Sequence, residues 1–179
     1  MTPQEMAKKL HSVPGRGCIA ITGSGIQAIS ELFAEPGTSR TIFDVQVPYS
    51  RLALEEFVGA PTDQHVSAQE AKLMAESALK RARYLAQGDE GDEPLFGVGC
   101  TAAIATDRVR RGEDRAHIAW TNGVHSGGTS IWFDKQARTR GDEDTIVSAI
   151  VLNSIAAASE IEERLDLHVL ETERFDEFD

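Results

Sequence analysis

The chain reads as an α/β protein, a three-layer α/β/α sandwich around a mixed central sheet, on three observations. Short apolar runs flanked by glycine alternate with stretches whose apolar residues recur at three and four positions. Side-chain caps precede several of those stretches, and two late β-rich runs bracket a polar turn as the arms of a hairpin would. The 179 residues suit a single domain, assigned to 1–165, followed by an acidic tail at 166–179 that is expected to be disordered in part.

Thr2-Pro3-Gln4-Glu5 places an N-cap before a proline at the first helical position, and Met6, Leu10 and Val13 continue a short helix that closes at Pro14-Gly15. Gly17 to Thr22 is apolar and too short for a helix, so it reads as a strand buried on both faces. It runs through Thr22-Gly23-Ser24-Gly25 into a helix whose core face carries Ile26, Ala28, Ile29, Leu32 and Phe33. A second strand over Thr41 to Val47 ends at Pro48-Tyr49-Ser50, where Ser50 caps a short helix through Phe57 that stops at Gly59. Ser67-Ala68-Gln69-Glu70 reads as a capping box, opening a long helix with Ala71, Met74, Ala75, Ala78, Leu79 and Ala82 on one face.

Gly88 to Glu93 has the composition of a solvated loop. Leu95 to Cys100 is another buried strand, and Ala116 to Trp120 with Thr129 to Phe133 form the hairpin around the polar turn 121–128. A last helix is predicted from about Asp142 to Leu165. Trp120 and Trp132 lie on the hairpin, where strand aromatics usually belong to a core or an interface.

A net charge of −11 opposes binding to nucleic acid or to an anionic membrane, since both are polyanions. No apolar run reaches the roughly 18 residues of a membrane span, and Met1 to Lys9 lacks the order of a signal peptide, so a cytoplasmic location is expected. Cys18 and Cys100 sit in strand-like runs without metal-ligand spacing, which predicts buried, reduced thiols. The five histidines form no metal pattern, and no metal is expected.

Ligands of such sheets bind outside the carboxyl ends of the strands. Ser24, between Gly23 and Gly25 at a helix start, stands beside free backbone N–H groups and could act as a nucleophile with an oxyanion site. The same position suits a simple N-cap, or a turn that cradles a phosphate. Arg108, Arg110, Arg111 and Arg115 are the one dense basic cluster in an acidic chain; they suit a phosphate or a solvated turn balanced by Asp107, Glu113 and Asp114.

Several short motifs in order carry a resemblance that spans about residues 5 to 160. They are the serine at the helix start, Pro36-Gly37-x-Ser39, Val47-x-Tyr49-Ser50 with Gly59 beyond, His65-x-Ser67-x-x-x-Ala71-x-x-Met74-Ala75, and Gly97-Val98-x-x-Thr101. Together they resemble the CinA C-terminal domain family, whose members include amidases that convert nicotinamide mononucleotide to nicotinate mononucleotide and ammonia. The resemblance implies an α/β sandwich, assembly into a homo-oligomer, a small nucleotide as ligand and no cofactor. By position it makes Ser24 the nucleophile, with Tyr49 and Thr101 as the assisting hydroxyls. Gly23, Gly25, Ser50, Arg51, Thr106, Arg108 and Arg111 would border the substrate.

The chain departs from that pattern in three places. Leu54 stands where the family carries the lysine expected to be the base, Gln27 and Ala28 replace glycines after the serine, and Ala102 to Arg108 replaces a Gly-Pro loop. Arg51 cannot substitute as a base, because a guanidinium keeps its proton. Val-Pro-Tyr-Ser and Arg-Gly-Glu segments are also similar to the CinA-like half of some eukaryotic nucleotidyltransferase-related proteins. Two functions are therefore expected to compete: a serine amidohydrolase of a pyridine nucleotide, and a catalytically silent nucleotide-binding or oligomeric scaffold. A serine hydrolase using His65 or His117 as base is a third reading, with no spacing to tie either to Ser24.

Overall fold

The computed structural model describes residues 1–89 and 91–179. Helix α1 (Pro3–Leu10) opens with the full reciprocal cap between Thr2 and Glu5 and leads into strand β1 (Arg16–Thr22). Helix α2 (Ile26–Ala34) and a single 3-10 turn (Thr38–Arg40) bring the chain to β2 (Ile42–Gln46). Helices α3 (Arg51–Val58), capped by Ser50 and closed by Gly59, and α4 (Ala68–Leu85) lead to β3 (Leu95–Ala103). Strands β4 (Arg115–Thr121) and β5 (Ser126–Trp132), helix α5 (Arg140–Ala158) and strand β6 (Arg174–Phe178) complete the chain.

The six strands lie in the order β2-β1-β3-β4-β5-β6. The first three are parallel and the rest antiparallel, so the sheet is mixed as expected. Side-chain alternation divides the core. Ile19, Ile21, Val98 and Cys100 pack under α1, α2 and α5, while Cys18 and Ala20 face α3 and α4.

On β3 the second face is stripped to glycine. A Cβ on Gly97 would lie 2.2 Å from the Ala75 carbonyl oxygen, and one on Gly99 2.5 Å from that of Ala71. Their absence lets α4 settle directly on the strand.

Several expectations need correction, beginning with Ile26 and Phe33, which do not face the core: α2 buries Ala28 and Leu32 and leaves those two exposed. The Ser67 cap forms, but Glu70 does not return the bond to close a box; its side chain is buried, one carboxyl oxygen has no partner, and burial raises its pKa. The last helix starts at Arg140, capped by Thr139 and Asp142, and stops at Ala158 rather than Leu165. There Glu160 takes a left-handed conformation (φ 58°) while the N–H groups of Glu160 and Ile161 return to Ala157 and Ala156. The hairpin turn is shorter than 121–128, because Gly127 makes room for the Trp120 ring and Gly128 for that of Phe178, which keeps both in the strand. Beyond α5, the segment Arg174–Phe178 pairs as β6 on the edge of the sheet, with Phe175 and Phe178 on opposite faces. Of the acidic loop 88–93, Glu90 lies outside the described residues, and its described neighbours are exposed.

Both cysteines are buried and unpaired, one on each face of the sheet. Burial, with the Asp44 charge beside it, pushes the Cys18 thiol up to about 12. Burial and Asp144 push Cys100 upward as well.

His117 on β4 is buried, its Nδ1 lying 2.6 Å from the Ser130 hydroxyl and its ring edge-on to Trp132. Burial first, then Arg115 and Arg174, push its pKa down to about 4. An unfolded histidine takes its proton near 6.5, so stability from this group is complete above that value and is lost as pH falls through the window down to about 4. The unfolding free energy in urea is expected to drop by at most about 3 kcal/mol across that window, and His117→Gln is expected to flatten that part of the slope. Equal slopes for the two proteins would contradict the assignment.

Among the described residues, no helix is long and apolar enough to cross a membrane.

Candidate functional site

Strand order places the site. Helix α2 carries the chain from β1 to β2 on one face, whereas α3 and α4 carry it from β2 across β1 to β3 on the other. The connections therefore diverge between β1 and β3, and the carboxyl ends of those two strands are where open α/β sheets usually bind their ligands. The turn at the end of β1 is Gly23-Ser24-Gly25. Gly23 has φ 89°, and a Cβ there would fall 1.9 Å from the Ala102 carbonyl oxygen, so the turn lies hard against the end of β3.

Gly25, with φ 111°, is the N-cap of α2 and lacks a side chain to satisfy the helix end. Asp144 of α5 reaches across instead. Its Oδ1 accepts from the Gly25 N–H at 2.8 Å and from the Ser24 hydroxyl at 2.6 Å. Cys100 donates to the Ser24 carbonyl at 3.3 Å. Ser24 is only 3% exposed. The Ile26 and Gln27 N–H groups, next in the first turn, have no helical carbonyl to bond, and both residues are exposed.

Thr101 is on the other side. It shares the β3 face of Gly97 and Gly99, is fully buried, and gives its hydroxyl to the His65 carbonyl at 2.6 Å just before α4. His65 itself lies 3.9 Å from Glu55, and its Nδ1, like one Glu70 oxygen, is buried without a partner. Tyr49 is 72% exposed at the end of β2. Ser50 is occupied in capping α3, and Arg51 extends into solvent with Glu55 3.9 Å away. The structure thus gathers Gly23, Ser24 and Gly25 around Asp144 and does not bring the Tyr49 or Thr101 hydroxyl to Ser24.

Thr106 braces Arg108 in a local turn through two hydrogen bonds, and Arg108 and Arg111 are exposed on the loop between β3 and β4. Leu54, in the place of the expected lysine, is 2% exposed between Ala20 and Met74. Neither His65 nor His117 bonds to Ser24, whose acceptor is a carboxylate.

Asp144 was not among the candidates from sequence. It sits in the run Asp142-Glu143-Asp144, which resembles the acidic first turn of many helices. Only the capping role of Asp142 follows that pattern; Glu143 and Asp144 turn inward to the loop and the serine. Among the described residues, no group of three His, Cys, Asp or Glu side chains could hold a metal ion.

No protein-family model matches the chain, and no curated protein matches it by sequence. Solved structures do match. The competence/damage-inducible protein CihA from Agrobacterium tumefaciens superposes with a TM-score of 0.70 at 19% identity, over 87% of this chain and 94% of that one. The chain has the CinA fold. A competence or damage-inducible protein from Enterobacter asburiae gives a TM-score of 0.67 at 20% identity, over 89% of this chain and 99% of that one. A CinA-superfamily protein from Escherichia coli gives 0.61 at 18% identity, over 87% of each chain. The CinA fold therefore accounts for nearly the whole sandwich, and the sequence resemblance and the superposition point to the same architecture.

Proposed function

We propose that the chain is an amidohydrolase in which Ser24 attacks the carboxamide of a pyridine nucleotide and Asp144 takes its proton. The observation that supports this most is the 2.6 Å hydrogen bond from the Ser24 hydroxyl to Asp144, since a nucleophile within reach of a base is the signature of covalent catalysis. Nicotinamide mononucleotide is the substrate implied by the resemblance to the CinA C-terminal domain.

The steps balance without a cofactor. The Ser24 oxygen bonds to the carboxamide carbon as its proton passes to Asp144. The resulting oxyanion faces the free N–H groups of Ile26 and Gln27, each such donor being worth about 3 kcal/mol in acyl transfer. The C–N bond then breaks, the nitrogen leaves as ammonia with the proton from Asp144, and the acyl group stays on Ser24. Water then bonds to the acyl carbon as Asp144 takes its proton, the bond from that carbon to the Ser24 oxygen breaks, and the proton returns to Ser24 as the acid leaves. Arg108 and Arg111, exposed on their loop, bind the phosphate, and Tyr49 and Arg51 meet the substrate at the outer rim.

A second reading, a silent nucleotide-binding scaffold, is favoured by the burial of Leu54 where the family's lysine falls. Ammonia release from nicotinamide mononucleotide, run beside calorimetry, separates the two. Ser24→Ala is expected to abolish release; equal release by variant and parent would remove Ser24 from the mechanism. Binding by the parent with no turnover would select the scaffold.

A further inference from the structure

Helix α5 packs mainly on β3 and β4, and between it, the sheet and the segment 164–167 that follows lies a cavity of about 400 Å³. It is at the other end of the sheet from the serine turn: its Trp120 pairs with Val98 near the start of β3, whereas Gly23 abuts Ala102 near the finish.

The chain fixes the walls. The Asn153 side chain donates to the Leu165 carbonyl at 3.1 Å and accepts from the Leu165 N–H at 2.7 Å, which staples the roof to α5. Trp120 lies against Gly127, where a Cβ would come within 3.2 Å of the ring, so glycine lets the indole settle over the strand. Leu165, Leu167 and Phe175 close the apolar side.

The polar groups inside are uncommitted. Ser154, 4% exposed, and the half-buried Thr129 both line the cavity. Among the described residues, neither hydroxyl nor the Trp120 indole N–H has a hydrogen-bond partner. Buried hydroxyls are seldom left unpaired in native proteins. The rim, in contrast, carries both signs of charge. Arg164, exposed, is held by donating to the Ile161 and Glu163 carbonyls, while Glu177 stands across from Thr129 on β6 with Asp179 beyond it. Among the described residues, none of these three forms an ion pair.

This arrangement selects a class of ligand. An anion would meet Glu177 and Asp179 in a chain of net charge −11, and a simple cation would meet Arg164. A zwitterion meets neither objection, with its carboxylate on the guanidinium and its ammonium on the acids. Below the rim, Trp120 offers a ring to an aromatic body, and Ser154, the most buried polar group, offers a hydrogen bond to that body's far end. We propose that this cavity binds a free amino acid whose aromatic side chain ends in a hydroxyl, as in tyrosine. The site is separate from the Ser24 turn and does not rest on the amidohydrolase reading.

Trp120 is its own reporter. Trp132 lies on the other face of β5, so Trp132→Phe leaves Trp120 as the sole tryptophan, excited beyond the absorption of tyrosine. L-Tyrosine is expected to change its emission saturably. Phenylalanine lacks the phenol, tyramine the carboxylate and 4-hydroxyphenylpropionate the ammonium; each is expected to bind about tenfold more weakly, the loss of one strong hydrogen bond or ion contact. Calorimetry on the parent protein checks the same order without any variant. No saturable response to tyrosine in either measurement would overturn the proposal, as would equal binding by any of the three analogues. In Ser154→Ala the preference for tyrosine over phenylalanine is expected to vanish, and a preference that persists would remove Ser154 from the site and overturn it. Ser24→Ala is expected to bind tyrosine as the parent does. Loss of binding in that variant would put the ligand at the serine turn and overturn the proposal, whereas loss of ammonia release alone bears only on the amidohydrolase reading.

Discussion

Gly99→Val is expected to strip the chain of much of its stability. The first atom of the new side chain would lie 2.5 Å from both the Ala71 carbonyl and the Met74 Cβ and 2.6 Å from the Ala75 nitrogen. Two of those are backbone atoms of α4, which cannot swing aside as a side-chain tip would, so the helix must lift from the sheet. Lifting it uncovers Ala71, Met74, Ala75 and Ala78, all buried beneath it, and loosens the Thr101 to His65 hydrogen bond at its start. Overpacking alone costs about 1–3 kcal/mol, and valine with displaced backbone should exceed about 3 kcal/mol. In a domain of this size that lowers the melting temperature by about 10 °C. Gly112→Ala, whose Cβ would meet only Arg110 at 3.8 Å, is the matched control and should be nearly neutral. A Gly99→Val protein that melts with the parent would mean that α4 does not rest on β3 as described.

Asp144 is the second position of large effect, and two substitutions there separate tie from base. Asp144→Asn keeps an oxygen able to accept from the Ser24 hydroxyl and the Gly25 N–H, so the fold should persist. It cannot accept the serine proton, so ammonia release is expected to fall about 10²- to 10⁴-fold. Asp144→Ala leaves a buried hydroxyl and a helix N-terminal N–H without a partner, at about 1–3 kcal/mol each, and should lower the urea midpoint as well as the activity. Turnover by the Asn variant at the parent's rate would reduce Asp144 to a structural clamp between α2 and α5.

Much of the sandwich is visible in local signals. Thr2, Ser50 and Ser67 cap the helices they precede, and Gly59 closes α3, because a cap is a contact within a few residues of sequence. The end of α5 escaped such reading, since its closing left-handed residue is Glu160 where glycine is usual. The start of β5 escaped it because Ser126-Gly127-Gly128 has turn composition, and only the rings of Trp120 and Phe178, brought from other strands, explain the glycines.

At the site, the glycines around Ser24 mark a tight turn that β1 must make. Its partner lies 120 residues further along the chain and is chosen by how α5 packs, which no local pattern encodes. The direction of Thr101 was open to inspection, because it shares parity with Gly97 and Gly99, and a strand face stripped for a helix cannot also face the Ser24 side. Glu70 misled in the opposite sense. Its position in a cap motif predicts a solvent-facing bond, whereas the buried carboxyl turns toward the interior.

The placement of Cys18 and Cys100 gives the sandwich a pair of built-in timers. One sulfur is shut beneath the α3 and α4 layer and the other beneath the α2 and α5 layer, and both thiols are held in their unreactive form. A small alkylating reagent reaches either atom only after the layer above it has parted from the sheet. The two labelling rates, followed separately, record whether the layers detach together or in sequence.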